Sequence, residues 1–251
     1  MADFVHAWGW ILDPAHWGGP DGVLTHSWEH IYMTAIATAV GVLIALPVGL
    51  YVGHTRRAEF LAVSIANLGR ALPAFGILGI VFPFTLNLPG LGFYPTLIAL
   101  ILLAIPPILT NTYVGVKNVD PDTVEAARGM GMSGQEVLRR IELPLAAPVI
   151  VAGIRNAAVA VVATATLAAV FGWGGLGRYI FDGFYQSDIV KVISGAILVA
   201  LLAILVEVLL AGLERLVRPR RSSDAGRRTR WWLARLGGAR PAGRASTAGG
   251  P

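Results

Sequence analysis

The chain has 251 residues, of which 55% are hydrophobic and 14% charged, with a mean hydropathy of +0.65. A soluble domain carries about 25% charged residues, so this composition excludes an ordinary globular domain and puts the chain in lipid. The lack of cysteine excludes a disulfide framework, thiolate metal ligands and a cysteine nucleophile, and the net charge of +5 collects in a tail, which argues against a nucleic-acid-binding face.

Residues 1–28 hold Trp8, Trp10, Trp17 and Trp28 and no Lys or Arg. This suits an extracytoplasmic segment in the aromatic belt of a bilayer, although a polar arm fits the first ten residues equally well. The basic n-region of a secretory signal peptide is missing. A spanning helix needs roughly 20 apolar residues. Five stretches qualify, at 31–53, 61–86, 91–116, 145–171 and 192–213, which predicts an all-α polytopic membrane domain over 29–217. The second is interrupted by Pro73 and Pro83 and the third by Pro106 and Pro107. From Arg218 to Arg244 nine arginines face one acid, and residues 218–251 read as a disordered cytoplasmic tail. Its stretch around Trp231 and Trp232 suits anionic lipid and is a poor candidate for binding nucleic acid.

Orientation follows from the basic residues. Arg56 and Arg57 lie between the first two stretches, and Lys117, Arg128, Arg139 and Arg140 between the third and fourth. The alternate connections hold only Arg178 and Lys191. By the positive-inside rule the amino terminus is outside and the carboxyl terminus cytoplasmic.

Catalytic chemistry is absent from this pattern. Neither Lys117 nor Lys191 ends a phosphate-cradling Gly-rich loop. His26 and His30 have helical i, i+4 spacing without a third ligand, and read as interface histidines, so no metal site is expected. The protein is expected not to be an enzyme.

The loop 117–144 is the informative connection. Asp120 caps a helix starting at Pro121, with Asp122 and Glu125 at its positive end. Gly129 and Gly131 bracket a break, and Ser133 with Glu136 forms a capping box for a second helix, which Pro144 is expected to end. Ala126 and Ala127 should leave a smooth surface for a partner. By composition alone the loop reads equally well as an amphipathic segment resting on headgroups.

The spacing separates the two readings. Glu125-Ala126-Ala127, three residues, Gly131, nine residues, Ile141, one residue and Leu143-Pro144 resemble the EAA signature of permease subunits of binding-protein-dependent ABC importers. Ile98-Ala99-Leu100, Pro106-Pro107-Ile108-Leu109, Asn111-Thr112-Tyr113, Gly153-Ile154-Arg155 and the run 172–177 are similar to the glycine betaine/carnitine/choline/proline branch. The likeness covers roughly 30–215; position 110, a threonine, departs from the basic residue expected there. It implies the type I importer permease fold. It also implies a dimer of ABC ATPase subunits carrying ATP and Mg, a second permease that is identical or paralogous, and an extracytoplasmic solute-binding protein. No cofactor is implied in this chain, and its place would be the bacterial cell membrane. The ATPase-coupling role then falls on Glu125, Ala126, Ala127 and Gly131, with Ile141, Leu143 and Pro144 leading into the next span.

Within the spans, Arg70, Arg155 and Glu207 are charges that lipid would not tolerate unpaired. Pairing of Glu207 with Arg70 or Arg155 to fix helix packing is the stronger reading. The proline-interrupted stretches are candidates for a water-filled pathway, with Phe75, Phe82, Tyr94, Asn111 and Tyr113 as possible contacts. The aromatic segment 172–187 suits a docking face, a gate or an interfacial girdle. The leading expectation is an importer of quaternary ammonium solutes. An importer of another small polar solute, such as an amino acid, is the runner-up, and a stand-alone secondary transporter or channel the different-class alternative.

Overall fold

In lipid every backbone N–H and C=O must be satisfied within its own segment, so the apolar stretches have to be helical. The computed structural model describes residues 2–71 and 73–217, apart from the side chains of Leu61, Ala62 and Arg70. The expected tail, 218–251, lies outside the described residues, as does the Arg70 side chain.

A short helix, α1 (Ala2–Leu12), opens the chain. It buries Ala7 and Ile11 and packs on the last helix, so the first ten residues are not a polar arm. α2 (Val23–Thr55) begins well before the apolar run at Ile31, because nothing between Gly22 and that run breaks a helix. α3 (Glu59–Ala71) and α4 (Ala74–Thr85) follow. Pro73 between them is extended (φ −69°, ψ 125°), and the axes of Val63–Gly69 and Ala74–Thr85 differ by 84°. α5 (Phe93–Lys117) runs unbroken through Pro106 and Pro107, contrary to the expected interruption. Pro106 and Pro107 withhold the N–H groups that would bond to the Leu102 and Leu103 carbonyls, a loss that a spanning helix tolerates where its surroundings make it up.

α6 (Pro121–Gly129) and α7 (Gly134–Val137) form the connecting loop. A π turn (Leu138–Glu142) then leads directly into α8 (Leu143–Thr164) and a 3-10 segment (Ala165–Phe171). Pro144 therefore starts α8 and does not end the second loop helix. The Leu143 N–H reaches back five residues to the Leu138 carbonyl. This wider turn suits the following proline, whose ring would crowd the Arg140 carbonyl in a regular α-helix. α9 (Gly177–Gln186) and α10 (Ile189–Val217) complete the described chain. Among the described residues, α2, α5, the run Gly134–Phe171 and α10 are long and apolar enough to cross a membrane. The bent α3–α4 pair makes a fifth crossing if it counts as one span.

α5 lies between α2 and α8, and α10 packs on α8 and α9. The α2–α5 seam is set by small residues. A Cβ on Gly41, Gly49 or Gly53 would stand 2.8, 2.7 or 2.7 Å from Ala104, Thr112 or Val116 side-chain carbons. Such close backbone approach supplies the dispersion contact that lipid-soluble helices need in place of a hydrophobic drive. The core around the seam holds Met33, Ala37 and Val52 of α2, Leu100 and Ile108 of α5, and Val161 of α8.

Candidate coupling element and solute pathway

Asp120 precedes α6 and caps it: its Oδ1 accepts from the Asp122 N–H at 3.1 Å and its Oδ2 from the Thr123 hydroxyl at 3.1 Å. Glu125 and Ala126 are exposed, whereas Ala127 is turned inward and buried. The smooth surface expected of both alanines therefore belongs to Ala126 alone, because successive helix positions point about 100° apart. The elbow after α6 is a left-handed cap: Gly131 has φ +88°, Met132 N–H bonds to Ala127 O at 3.2 Å and Gly131 N–H to Arg128 O at 2.9 Å. A Cβ on Gly131 would meet nothing within 4 Å, so backbone conformation, not crowding, requires glycine there. Met130 stands beside it, 77% exposed, an apolar tip that sequence pattern did not single out. Ser133 accepts from the Glu136 N–H at 3.4 Å while Glu136 accepts from the Ser133 N–H at 3.0 Å, closing the expected capping box. Val137 is buried, Ile141 and Leu143 are half-buried, and Pro144 is exposed.

Beside this element lies a polar hollow of about 600 Å³. Its lining includes His54 and Arg56 from the end of α2, and Glu125, Arg128 and Glu142 from the loop. Glu142 is buried, and its Oε2 lies 2.5 Å from His54 Nδ1, 88 positions away in sequence. Nothing in the local pattern pointed to this pair. At the same end Lys117 forms an ion pair with Glu59 and donates to the Tyr113 hydroxyl at 2.8 Å, tying α3 to α5.

The opposite end of the bundle carries the aromatic groups. Phe75 and Phe82 both pack on Phe171, with ring centroids 5.8 and 5.1 Å apart. Tyr94 meets Phe93 edge-on at 5.3 Å, and Phe93 packs on Trp173 at 4.7 Å. Three of the five pathway candidates thus gather at this end. Asn111 and Tyr113 do not join them: Asn111 faces Gly153 in the α5–α8 seam, and Tyr113 is buried beside Lys117.

Glu29 stitches the glycine-rich turn 172–177 to α2. Its Oε2 accepts from the Gly175 N–H at 2.8 Å and lies 2.8 Å from His26 Nδ1. A Cβ on Gly174 would be 1.9 Å from the same carboxylate. His30 Nε2 lies 2.9 Å from the Val162 carbonyl. His26 and His30 are both buried and pack inside the bundle near the amino-terminal end of α2. Tyr179 of α9 donates to the Asp21 carbonyl at 2.8 Å. Burial, with the Asp21 and Glu29 charges adding, pushes its phenol up to about 12, so it remains a donor at any physiological pH.

Arg155 of α8 bridges two acids of α10. Its guanidinium nitrogens lie 3.0 Å from Glu207 and 3.4 Å from Glu214. Of the two partners considered for Glu207, the structure pairs it with Arg155. Glu214 was missed because the apolar run stops at 213. Its i, i+7 spacing from Glu207, two helical turns on one face, was the available signal.

Residues 30–220 match the family of binding-protein-dependent transport system inner membrane components. The Bacillus subtilis glycine betaine/carnitine/choline transport system permease protein OpuCB is 39% identical over 76% of this chain and 87% of its own length. The choline transport system permease protein OpuBB of the same organism is 40% identical over 78% and 89%. The Salmonella typhimurium osmoprotectant import permease protein OsmW is 33% identical over 77% and 91%. A chain of the inward-facing MetNI methionine ABC transporter superposes with a TM-score of 0.68 at 25% identity, covering 76% of this chain and 94% of that one. With its helical, multi-pass architecture, the chain belongs to the binding-protein-dependent transport system inner membrane components, the ABC importer permeases that leave ATP hydrolysis to a separate subunit.

Proposed function

We propose that this permease imports compatible solutes bearing a quaternary ammonium group, such as glycine betaine, choline, carnitine or proline betaine. The observation that carries the solute class is the gradient of likeness. Relatives named for glycine betaine, carnitine and choline share 39–40% of residues, against 25% for the methionine transporter. The aromatic cluster of Phe75, Phe82, Tyr94, Phe93 and Trp173 supports the same reading, because a permanent cation that keeps no hydrogen-bonding proton is attracted to ring faces.

In this reading two permeases, identical or paralogous, enclose the pathway and two ATPase subunits carry ATP and Mg. A solute-binding protein delivers cargo at the aromatic end. No cofactor belongs to this chain. The exposed Glu125, Ala126 and Met130, on an elbow fixed by Gly131, offer the ATPase a small rigid knob. Ala127 and Ile141 support the knob from within, and Leu143 and Pro144 carry its motion into α8. Lys and Arg concentrate at the coupling end, which supports an outside amino terminus and a cytoplasmic carboxyl terminus. Single cysteines at Ala2 and Ser223 in this cysteine-free chain test that: an impermeant thiol reagent on intact cells should label the first and spare the second.

The decisive experiment is uptake of labelled glycine betaine and choline by a transport-deficient host expressing the whole complex, with methionine and other amino acids as competitors. Uptake of an amino acid and of neither quaternary amine would overturn the solute class. Uptake independent of the ATPase subunit would favour a stand-alone transporter.

A further inference from the structure

The coupling element reaches the membrane helices along two routes of different kind. One is covalent. α7, the π turn and α8 form one continuous helical run from 134 to 164, so any displacement of α7 is a displacement of α8. The other joins groups far apart in sequence. α2 is separated from the loop by three helices in sequence, yet His54 in its last turn meets Glu142 inside the π turn at 2.5 Å. Both side chains are withdrawn from solvent, 18% and 7% exposed, and hydrogen bonds to a charged group are stronger there than at an open surface. The imidazole has α7 against its other nitrogen: a Cβ on Gly134 would lie 3.4 Å from His54 Nε2. His54 is thus seated between the first residue of α7 and the acid of the π turn. The facing charged groups, Arg56, Glu125 and Arg128, line the same hollow.

We propose that His54 and Glu142 are a positioning pair that couples α2 to the ATPase-docking element. Movement imposed on α6 and α7 then passes to α2 as well as to α8. α2 is an effective receiver because its glycine seam locks it against α5 and because Glu29 and His30 fasten its far end to the turn 172–177 and to α8. A shift at the coupling end is delivered to the aromatic end by a rigid body, without bending α2 alone. The π turn places Glu142 where a regular helix would not, a use of local helix irregularity seen at functional sites. This inference rests on the reading of 117–144 as the docking element.

The test uses the complete importer purified with its ATPase and binding protein. His54→Ala and Glu142→Ala each remove the hydrogen bond, and His54→Asn keeps a donor near the Nδ1 position. Three quantities are read: ATPase subunit retained, basal ATP hydrolysis, and solute moved per ATP hydrolysed. His54→Ala and Glu142→Ala should retain the ATPase and its basal turnover, while solute moved per ATP falls about tenfold, the loss expected for one hydrogen bond to a charged group. His54→Asn should recover most of that ratio. An unchanged ratio in His54→Ala overturns the proposal, and so does loss of the ATPase from the variants alone, which would make the pair a docking support. Failure of the unsubstituted chain to retain any ATPase would instead refute the docking-element reading itself.

Discussion

Replacing Gly49 with alanine should loosen the transporter fold through one added carbon. The new Cβ would stand 2.7 Å from Thr112 Cβ, 2.9 Å from its Cγ2 and 3.1 Å from the Leu109 carbonyl oxygen. Ordinary contact begins at 3.4 Å, so the largest shortfall is 3.4 − 2.7 = 0.7 Å. The nearest atom, Thr112 Cβ, is not moved by any side-chain rotation, and the carbonyl is backbone. The helices themselves must part. A gap of about 0.5–1 Å forfeits roughly a quarter to a half of each dispersion contact, and the Gly41 and Gly53 contacts lie on the same seam. Overpacking of this kind costs about 1–3 kcal/mol. The helix-propensity gain of alanine over glycine, about 1 kcal/mol, offsets part of it. A net loss of up to about 2 kcal/mol corresponds to a fall in midpoint of up to roughly 4–8 °C in a chain of this size. Thermal unfolding in detergent, followed by the fluorescence of the seven tryptophans, measures it. Gly212→Ala is the matched control, since Gly212 also lies in a spanning helix but has nothing within 4 Å of its Cβ position. A Gly49→Ala chain as stable as Gly212→Ala would refute the seam argument.

Three further outcomes are expected. Gly131→Ala should weaken retention of the ATPase by the cost of a left-handed non-glycine residue, about 1–2 kcal/mol, while Gly131→Asn loses less; equal loss in both would remove the conformational account. Glu29→Ala should expose the turn 172–177 to limited proteolysis. Glu29→Gln, whose carbonyl still accepts from the Gly175 N–H, should protect it, and identical digestion patterns would dismiss the stitch. Arg155→Met takes the guanidinium away from Glu207 and removes one partner of Glu214. Full burial would make that cost about 3–5 kcal/mol, and the 44% exposure of the Glu207 side chain sets it at or below the bottom of that range. Adding Glu207→Gln should recover part of the lost midpoint, and no recovery would argue against the network.

Much of this protein could be read from its one-dimensional pattern, because lipid imposes one-dimensional rules. Apolar runs at 31–53, 91–116, 145–171 and 192–213 had to become helices, and they did. The capping groups Asp120, Ser133 and Glu136 were legible because a cap is a contact between residues two or three apart. The family was legible because the spacing of residues 125–144 is a family pattern, now joined to a match over 30–220.

The features that escaped are those decided by distance in space. No local rule tells which proline breaks a helix. Pro73 stands in an extended conformation between α3 and α4, whereas α5 runs through Pro106 and Pro107. Ala127 faces inward and Ala126 outward only once α6 is laid against the bundle. The Glu29 stitch and the His54–Glu142 pair join positions 146 and 88 residues apart, and Arg155 reaches two acids on another helix. Composition determined that this chain spans a membrane, and the spacing of residues 125–144 carried its likeness to the importer permease family. Tertiary structure alone decided which buried charges neutralise one another, since burying a charge is tolerated only beside its partner and the partner is chosen by packing.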